Sequence, residues 1–497
     1  MITGLDYTIL VLYFVGLIGL SVFLGRRFVD LRDFYLGSRR IPAWAISASI
    51  MATQAGVISM ISAPAFVALR PGGGLIWLQY EFAVPLAMIL IMAVLVPFFY
   101  QAEVITVYEY LERRFDVHTR TLLSVVFQIS RGLATGVSIY AAGILLSVVL
   151  ETPLWISILL TGVIALAYTA IGGIAAVIWS DVIQLVILWG GIFVVMGYAI
   201  SVGGGWTAVV SHIPLGRFQA VDFTSHGFGD AETFSFWPMV IGGFFLYASY
   251  YGCDQSQMQR TLSSASVEES RRALWYNGLL RFPLVLSYTL VGLVMAGFVI
   301  KEPQFTATIP PDHLDYLIPL FIKRHVPTGL TGLILAGMFA AVMSSIDSAF
   351  NSLSAASVQD LYVRYLNPHA SDRQYLLWSR ATTVLWGVVC TGFAFLVQDL
   401  APTVIEGINK IGSVFYGPIL AAFLLAILSR RATSRGVFVG LLTGVGINLI
   451  LWLGFEPAVS WLWWNLTGCV VTLGAAYAVS LRDTPPRPEQ LKGLIME

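Results

Sequence analysis

Four small residues near the end of one long apolar run share a spacing that suits a hard cation. Ala341, Ser344, Ser345 and Ser348 stand at i, i+3, i+4 and i+7, so on a helix they line one face. That face offers hydroxyl oxygens, with backbone carbonyls added wherever the helix opens, and a sodium ion needs such oxygens to replace its water. Small hydroxyl residues also hold membrane helices together, and spacing alone leaves both readings open. Asp347 lies among them in mid-run, where a carboxylate is costly and a functional candidate by default. Asp181 is a second such acid, about two turns beyond Gly172-Gly173, a pair that predicts a tight turn. Its plainer reading is a buried acid paired with a neighbouring helix.

Helices in lipid must hold these residues. Of the 497 residues, 57% are hydrophobic and 11% charged, against about 25% charged in a soluble domain. Apolar runs recur from end to end, each long enough as a helix to cross a hydrocarbon core about 30 Å thick. Lipid tolerates only internally bonded backbone. The expected fold class is all-α and polytopic, with about 13 transmembrane helices. They fall at 7–26, 42–69, 74–99, 121–149, 153–170, 175–201, 236–253, 273–299, 328–357, 379–398, 403–428, 436–455 and 459–480. The first ends in Gly25-Arg26-Arg27 with no cleavage-site pattern and reads as a retained span.

The chain divides into a first helix with an inner loop (1–41), five helices (42–201), an outer loop (202–235), five more helices (236–428), two C-terminal helices (429–480) and a cytoplasmic tail (481–497). Each group of five opens on helix-weakening residues. These are Ala52-Thr53-Gln54-Ala55-Gly56 in the first, and Gly242-Gly243 with Gly252 in the second. Broken helices expose carbonyls that can bind a cation, although small residues also permit close packing. With the N-terminus outside, 20 of the 28 Lys and Arg fall on the inner side and 5 on the outer, while Arg131, Arg281 and Lys410 lie within spans. That asymmetry places the N-terminus outside and the C-terminus in the cytoplasm.

Several function classes drop out. The 28 basic and 28 acidic residues balance, so nothing suggests a nucleic-acid partner, and no segment points to an obligate protein partner. Cys253, Cys390 and Cys469 show no paired or metal-ligand spacing. The six histidines fall between the runs, which argues against an intramembrane haem, a histidine proton relay or an enzyme's metal centre.

Four segments, taken in order, resemble the sodium/solute symporter family, which includes sodium/glucose, sodium/proline, sodium/pantothenate, sodium/iodide and bacterial sialic acid transporters. They are Tyr108-Glu109-Tyr110-Leu111-Glu112-Arg113-Arg114-Phe115-Asp116, the stretch Tyr168 to Gln184, Tyr250-Tyr251-Gly252-Cys253-Asp254-Gln255-Ser256-Gln257-Met258-Gln259-Arg260, and Ala341 to Asn351. The resemblance runs from about residue 7 to 455 and implies a LeuT-like 5+5 inverted-repeat core. It implies a primary sodium site between the unwound second span and the ninth, with carbonyls of Ala52, Ala55 and Ala341 and hydroxyls of Ser344 and Ser345 as ligands. A second cation site falls on Asp181, Ser344, Asp347 and Ser348, so the implied cargo is one or two Na+ ions. Asp347 stands where the family usually carries a neutral residue.

The same resemblance implies a solute pocket at mid-membrane, with Gln54, Gly56, Ser59 and Gln79 as candidates and Tyr247, Tyr250 and Tyr251 as an inner aromatic gate. Each has a packing alternative. The arginine that sialic acid members use for the carboxylate matches Ala134. Arg131 lies one turn earlier and is a candidate anion partner, unless it snorkels or pairs with an acid. Glu406 and Lys410, at i, i+4, are expected to neutralise each other.

The family resemblance further implies secondary active transport in a plasma or bacterial inner membrane, without enzyme activity. The expected process is sodium-coupled symport of a small organic solute (a sugar, monocarboxylate or similar nutrient) by alternating access. Asp254-Gln255-Ser256-Gln257 looks more like carboxylate-transporting members, whereas Gln54 and Gln79 suit polyols. A channel or uniporter would share the spans but gives no reason for a dehydrated sodium cage beside a polar pocket. One sodium moving down ~100 mV gains roughly 2.3 kcal/mol. A tenfold gradient adds about 1.4 kcal/mol, enough together for roughly 500-fold accumulation per ion. If Asp181 and Asp347 share one cavity they repel when both are ionised. Either one keeps a proton or a second sodium binds, and Ser344 and Ser348 favour the sodium.

Overall fold

The computed structural model describes residues 3–25, 39–229, 233–397, 400–456 and 458–496. Their regular structure is helical, with no β-strand and only two isolated bridges. In chain order come α1 (Gly4–Gly25), α2 (Ala43–Gln54) and α3 (Val57–Leu69), then α4 (Leu75–Gln101), α5 (Val107–Arg114), α6 (Val117–Leu150) and α7 (Leu154–Val202). The second half holds α8 (Gly243–Gly252), α9 (Gln255–Thr261), α10 (Val267–Lys301), α11 (Leu317–His325), α12 (Leu330–Ala356), α13 (Asp372–Ala394), α14 (Val404–Leu428), α15 (Ser434–Phe455) and α16 (Trp464–Ser480).

Among the described residues eight helices are long and apolar enough to cross a membrane, or nine with the bent pair α2–α3 counted as one. The four other expected spans are helical too. They are α1, the start of α7, α8 with the π turn Pro238–Gly242 before it, and α13 with Asp372, Arg373 and Arg380 in its first turns. The spans expected at 153–170 and 175–201 share the single helical run α7. Straight, its 49 residues would measure about 74 Å, yet both ends meet one face. Glu151 pairs with Lys323 at 2.8 Å, and the Gly203 carbonyl accepts from Lys301 at 2.5 Å. Lys301 and Lys323 flank one ring cluster of Phe298, Phe305 and Phe321. The run therefore crosses twice, as Leu154–Leu166 and Val177–Val202. The turn expected at Gly172-Gly173 falls in the stretch 167–173, whose side chains are not described.

Arginines mark the other face. Asp116 caps α6 through the Thr119 amide at 2.7 Å, and a Thr106–Glu109 capping box starts α5. Arg120 then bonds the buried Asp360 (2.7 Å) and Glu112 (2.8 Å). Asp360 lies in a π-helical extension of α12, Ser357–Leu366, and also accepts from Thr106 and Ser124. That network ties α5, α6 and α12 together. In the membrane layer α10 packs along α3, and α12 along α7. Gly292 permits the first contact, since a Cβ there would lie 2.6 Å from Val67 and 2.8 Å from Pro64.

Candidate functional site

The bend between α2 and α3 is 53°. A helix that stops at Gln54 leaves its last carbonyls without intrahelical donors. The Ala55 amide takes the Met51 carbonyl at 2.8 Å, the Ser59 hydroxyl takes that of Gln54 at 3.0 Å, and the Ser345 hydroxyl of α12 takes that of Thr53 at 2.8 Å. Ala52 carries the remaining carbonyl of this turn. Ser345 also reaches the Ala341 carbonyl at 3.3 Å. Gly56 lets α12 come this close, since a Cβ there would sit 2.7 Å from the Ser345 oxygen. The broken helix and the small-residue face thus bring oxygens from two helices to one point, a donor set that suits a hard cation.

A cavity of about 130 Å³ opens beside this point. Gln54, Gly56, Ser59, Tyr247, Tyr250 and Arg131 line it, as does Ser345. Two further residues define its polarity and were not singled out from sequence. Arg281 of α10 lines the cavity and is paired with Glu81 of α4 through two bonds, 2.8 and 3.4 Å. Tyr247 donates to the same carboxylate at 3.2 Å. Arg281 and Tyr251 both donate to the Gln54 side-chain oxygen, so Tyr251 meets the cavity only through Gln54. Arg131 is held more loosely. Its nearest acid, Asp254, is 3.8 Å away, its other partners are the neutral side chains of Tyr250 and Tyr416, and its Nε is buried with no hydrogen-bond partner among the described residues.

Asp181 and Asp347 are both fully buried. Asp181 has a cation that its place in the sequence does not reveal. Arg260 reaches its Oδ2 at 3.1 Å and the Ser49 hydroxyl at 2.7 Å, and Ser49 donates to the same Oδ2 at 2.5 Å. Asp181 Oδ1 and the Ser344 hydroxyl have no partner of normal geometry among the described residues, although Ser344 lies beside Asp181. Ser348 returns its hydroxyl to the carbonyls of Ser344 and Ser345. The Ser344 hydroxyl and Asp181 Oδ1 thus face each other at the buried end of the Arg260–Ser49 network.

Two expectations are corrected. Gln79 does not line the cavity. It sits on the 3₁₀ turn Leu75–Phe82, where its amide donates to the Phe234 carbonyl and its oxygen accepts from the Asp222 amide, each at 3.2 Å. Glu406 and Lys410 do not pair with each other. Glu406 takes Arg70 of the α3 end at 3.0 Å, and Lys410 takes Glu456. Beside Glu406, outside the spans, Asp315 accepts from the Val404 amide at 3.0 Å and keeps Oδ1 unbonded. Burial pushes its carboxyl up to about 7.

Comparison with known proteins identifies the family and the fold. The sodium:solute symporter family matches residues 34–444. Sodium-coupled monocarboxylate transporter 1 of Xenopus laevis is 29% identical over 465 residues, covering 93% of this chain and 70% of that protein. The sodium/iodide cotransporter of Homo sapiens is 30% identical, over 84% of this chain and 64% of that protein. A solved structure of a Na+-coupled sialic acid symporter, substrate-bound and outward-open, superposes with a TM-score of 0.87 at 23% identity, over 98% of this chain and 99% of that one. At that identity the likeness speaks for the fold, which is LeuT-like.

Proposed function

The chain belongs to the sodium:solute symporter family, and from that premise we propose that it accumulates a small organic anion, with a monocarboxylate as the favoured class. It is an integral membrane protein and a sodium-coupled symporter. One observation carries the finer reading. The oxygens around the α2–α3 break and the loosely held Arg131 line one cavity, with Ser345 and Arg131 both in its wall. A sodium at the break would take oxygens from Ala52, Ala55, Ala341 and Ser345. A solute carboxylate would take the Arg131 guanidinium, whose planar fork matches it. The ion's charge favours the anion, and each favours closure of α2–α3 on α12. Kinship with monocarboxylate transporters supports the carboxylate. Asp181 Oδ1 and Ser344 would hold a second sodium. The arginine-rich face lies towards the cytoplasm, of a bacterium's inner membrane or a plasma membrane, as the loop charges favour.

Ser345→Ala tests the coupling. It should raise the sodium concentration for half-maximal uptake at least about threefold while surface expression stays normal, the loss of about one hydrogen-bond-sized contact. Unchanged sodium dependence would refute the assignment.

A further inference from the structure

We propose that Arg131 and Asp254 form a lock at the arginine-rich end of the cavity, and that an anionic solute opens it by competing for the Arg131 guanidinium. The proposal rests on the anion reading above and adds a gating role for Asp254. α6 begins at the arginine-rich face, and of its lining residues Arg131 is nearest that end, with Ala134, Thr135 and Ser138 farther in. On α8 the last lining residue is Tyr250. Asp254 comes one turn later, at the break where α8 gives way to α9. The pair therefore closes the cavity between α6 and the α8–α9 junction. A second contact, from Gln257 to the Tyr250 hydroxyl at 2.8 Å, backs it.

The lock is poised rather than tight. Asp254 is 4% exposed and caps α9, with Oδ1 accepting the amide and hydroxyl of Ser256 at 2.8 and 2.5 Å. Only Oδ2 faces Arg131, at 3.8 Å, beyond hydrogen-bond range. The guanidinium is otherwise held by neutral groups, the Tyr250 and Tyr416 side chains, so a solute carboxylate in the cavity competes with Asp254 for its charge. When a solute carboxylate takes it, Asp254 is left buried without its countercharge, a state that proteins avoid by admitting water or moving. The α8–α9 junction is the element that must yield. An uncharged solute of the same shape leaves Asp254 paired and the junction shut. Solute charge is then read at the opening step as well as at binding.

Cys253, buried beside Asp254, reports the opening. The experiment uses the full chain reconstituted in saturating NaCl, with N-ethylmaleimide and peptide mass spectrometry. The Asp254→Asn variant keeps the helix cap but lets go of Arg131. It should label at Cys253 at least fivefold faster than wild type with no solute present, while Cys390, buried on α13 behind Arg131, stays protected. Propionate should accelerate Cys253 labelling in wild type and add nothing in the variant, and 1-propanol should do nothing in either. A variant that labels at the wild-type rate without solute overturns the lock, whatever the solute is. Acceleration of wild type by 1-propanol but not propionate overturns the anion reading, with the solute-free comparison still deciding the lock. Joint labelling of Cys253 and Cys390 in the variant, which marks an opening not confined to the α8–α9 junction, also counts against a local gate.

Discussion

Two arginines reach the same cavity and are held in different ways. Arg281 has its acid at 2.8 Å, a second bond to the same carboxylate and a third to Gln54. Arg131 has its acid at 3.8 Å, only the neutral Tyr250 and Tyr416 beside it, and a buried Nε without a partner among the described residues. Both sit within spans, where an isolated charge is costly, so burial and charge do not separate them. Completeness of pairing does. A guanidinium whose donors are met inside the protein is scaffold, and one left short is available to a ligand. Asp315 extends the series to a buried acid with no cation beside it among the described residues.

The largest effect is expected from breaking the complete pair. Glu81→Gln leaves Arg281 buried without its countercharge, a loss of about 3–5 kcal/mol for such pairs, so thermal unfolding in detergent should fall well below wild type. A wild-type melting temperature would remove the distinction between the two arginines. Next is Arg131→Gln. Removing a charge-assisted bond to the solute costs about 1.5–3 kcal/mol, roughly tenfold to a hundredfold in the KM for an anion. Its melting temperature should drop less than half as far as that of Glu81→Gln, because Asp254 keeps its cap contacts. Equal destabilisation by both variants would make Arg131 scaffold too.

The smallest effect concerns Asp315. Its carboxyl titrates near 7 in the folded protein against a reference of 3.8, so between those values the folded state holds a proton that the unfolded chain has released. Stability therefore falls as pH rises from about 4 to 7 and levels off above. Asp315→Asn should flatten that slope in melting temperature by a few degrees. The Ser62 hydroxyl, the Val404 amide and the Glu406 carboxylate lie against Asp315, and Asp312 and His313 line the same pocket. An unchanged slope would assign the pH dependence elsewhere.

The helical, polytopic fold was legible because apolar runs and membrane thickness leave few alternatives. The break at Ala52 to Gly56 was legible too, since a glycine within an apolar run has a local signature. Partners distant in the chain were not. Glu406 and Lys410 satisfy the i, i+4 rule, yet each found a better partner at long range, Arg70 and Glu456, which no local spacing reveals. Arg281 and Glu81 carried the same signal as Asp181, a charge inside a span. That signal was followed for the aspartates because a cation face stood near, and weighing every intramembrane charge equally would have found the pair. Gln79 was misplaced because matching along the sequence carries no information about a 3₁₀ turn, which rotates each side chain relative to an α-helix.

That displaced glutamine also ties down the outer loop. Gln79 bonds its backbone at both Asp222 and Phe234, and Arg217 donates to the Arg70 carbonyl at 2.6 Å. The loop is thus strapped at Arg217, Asp222 and Phe234 to the start of α4 and the end of α3, so a displacement of either helix should be felt there. A spin label at Gln219, exposed on this strap, would report the displacement of α3 and α4 from the solvent side without disturbing any residue assigned to ion or solute.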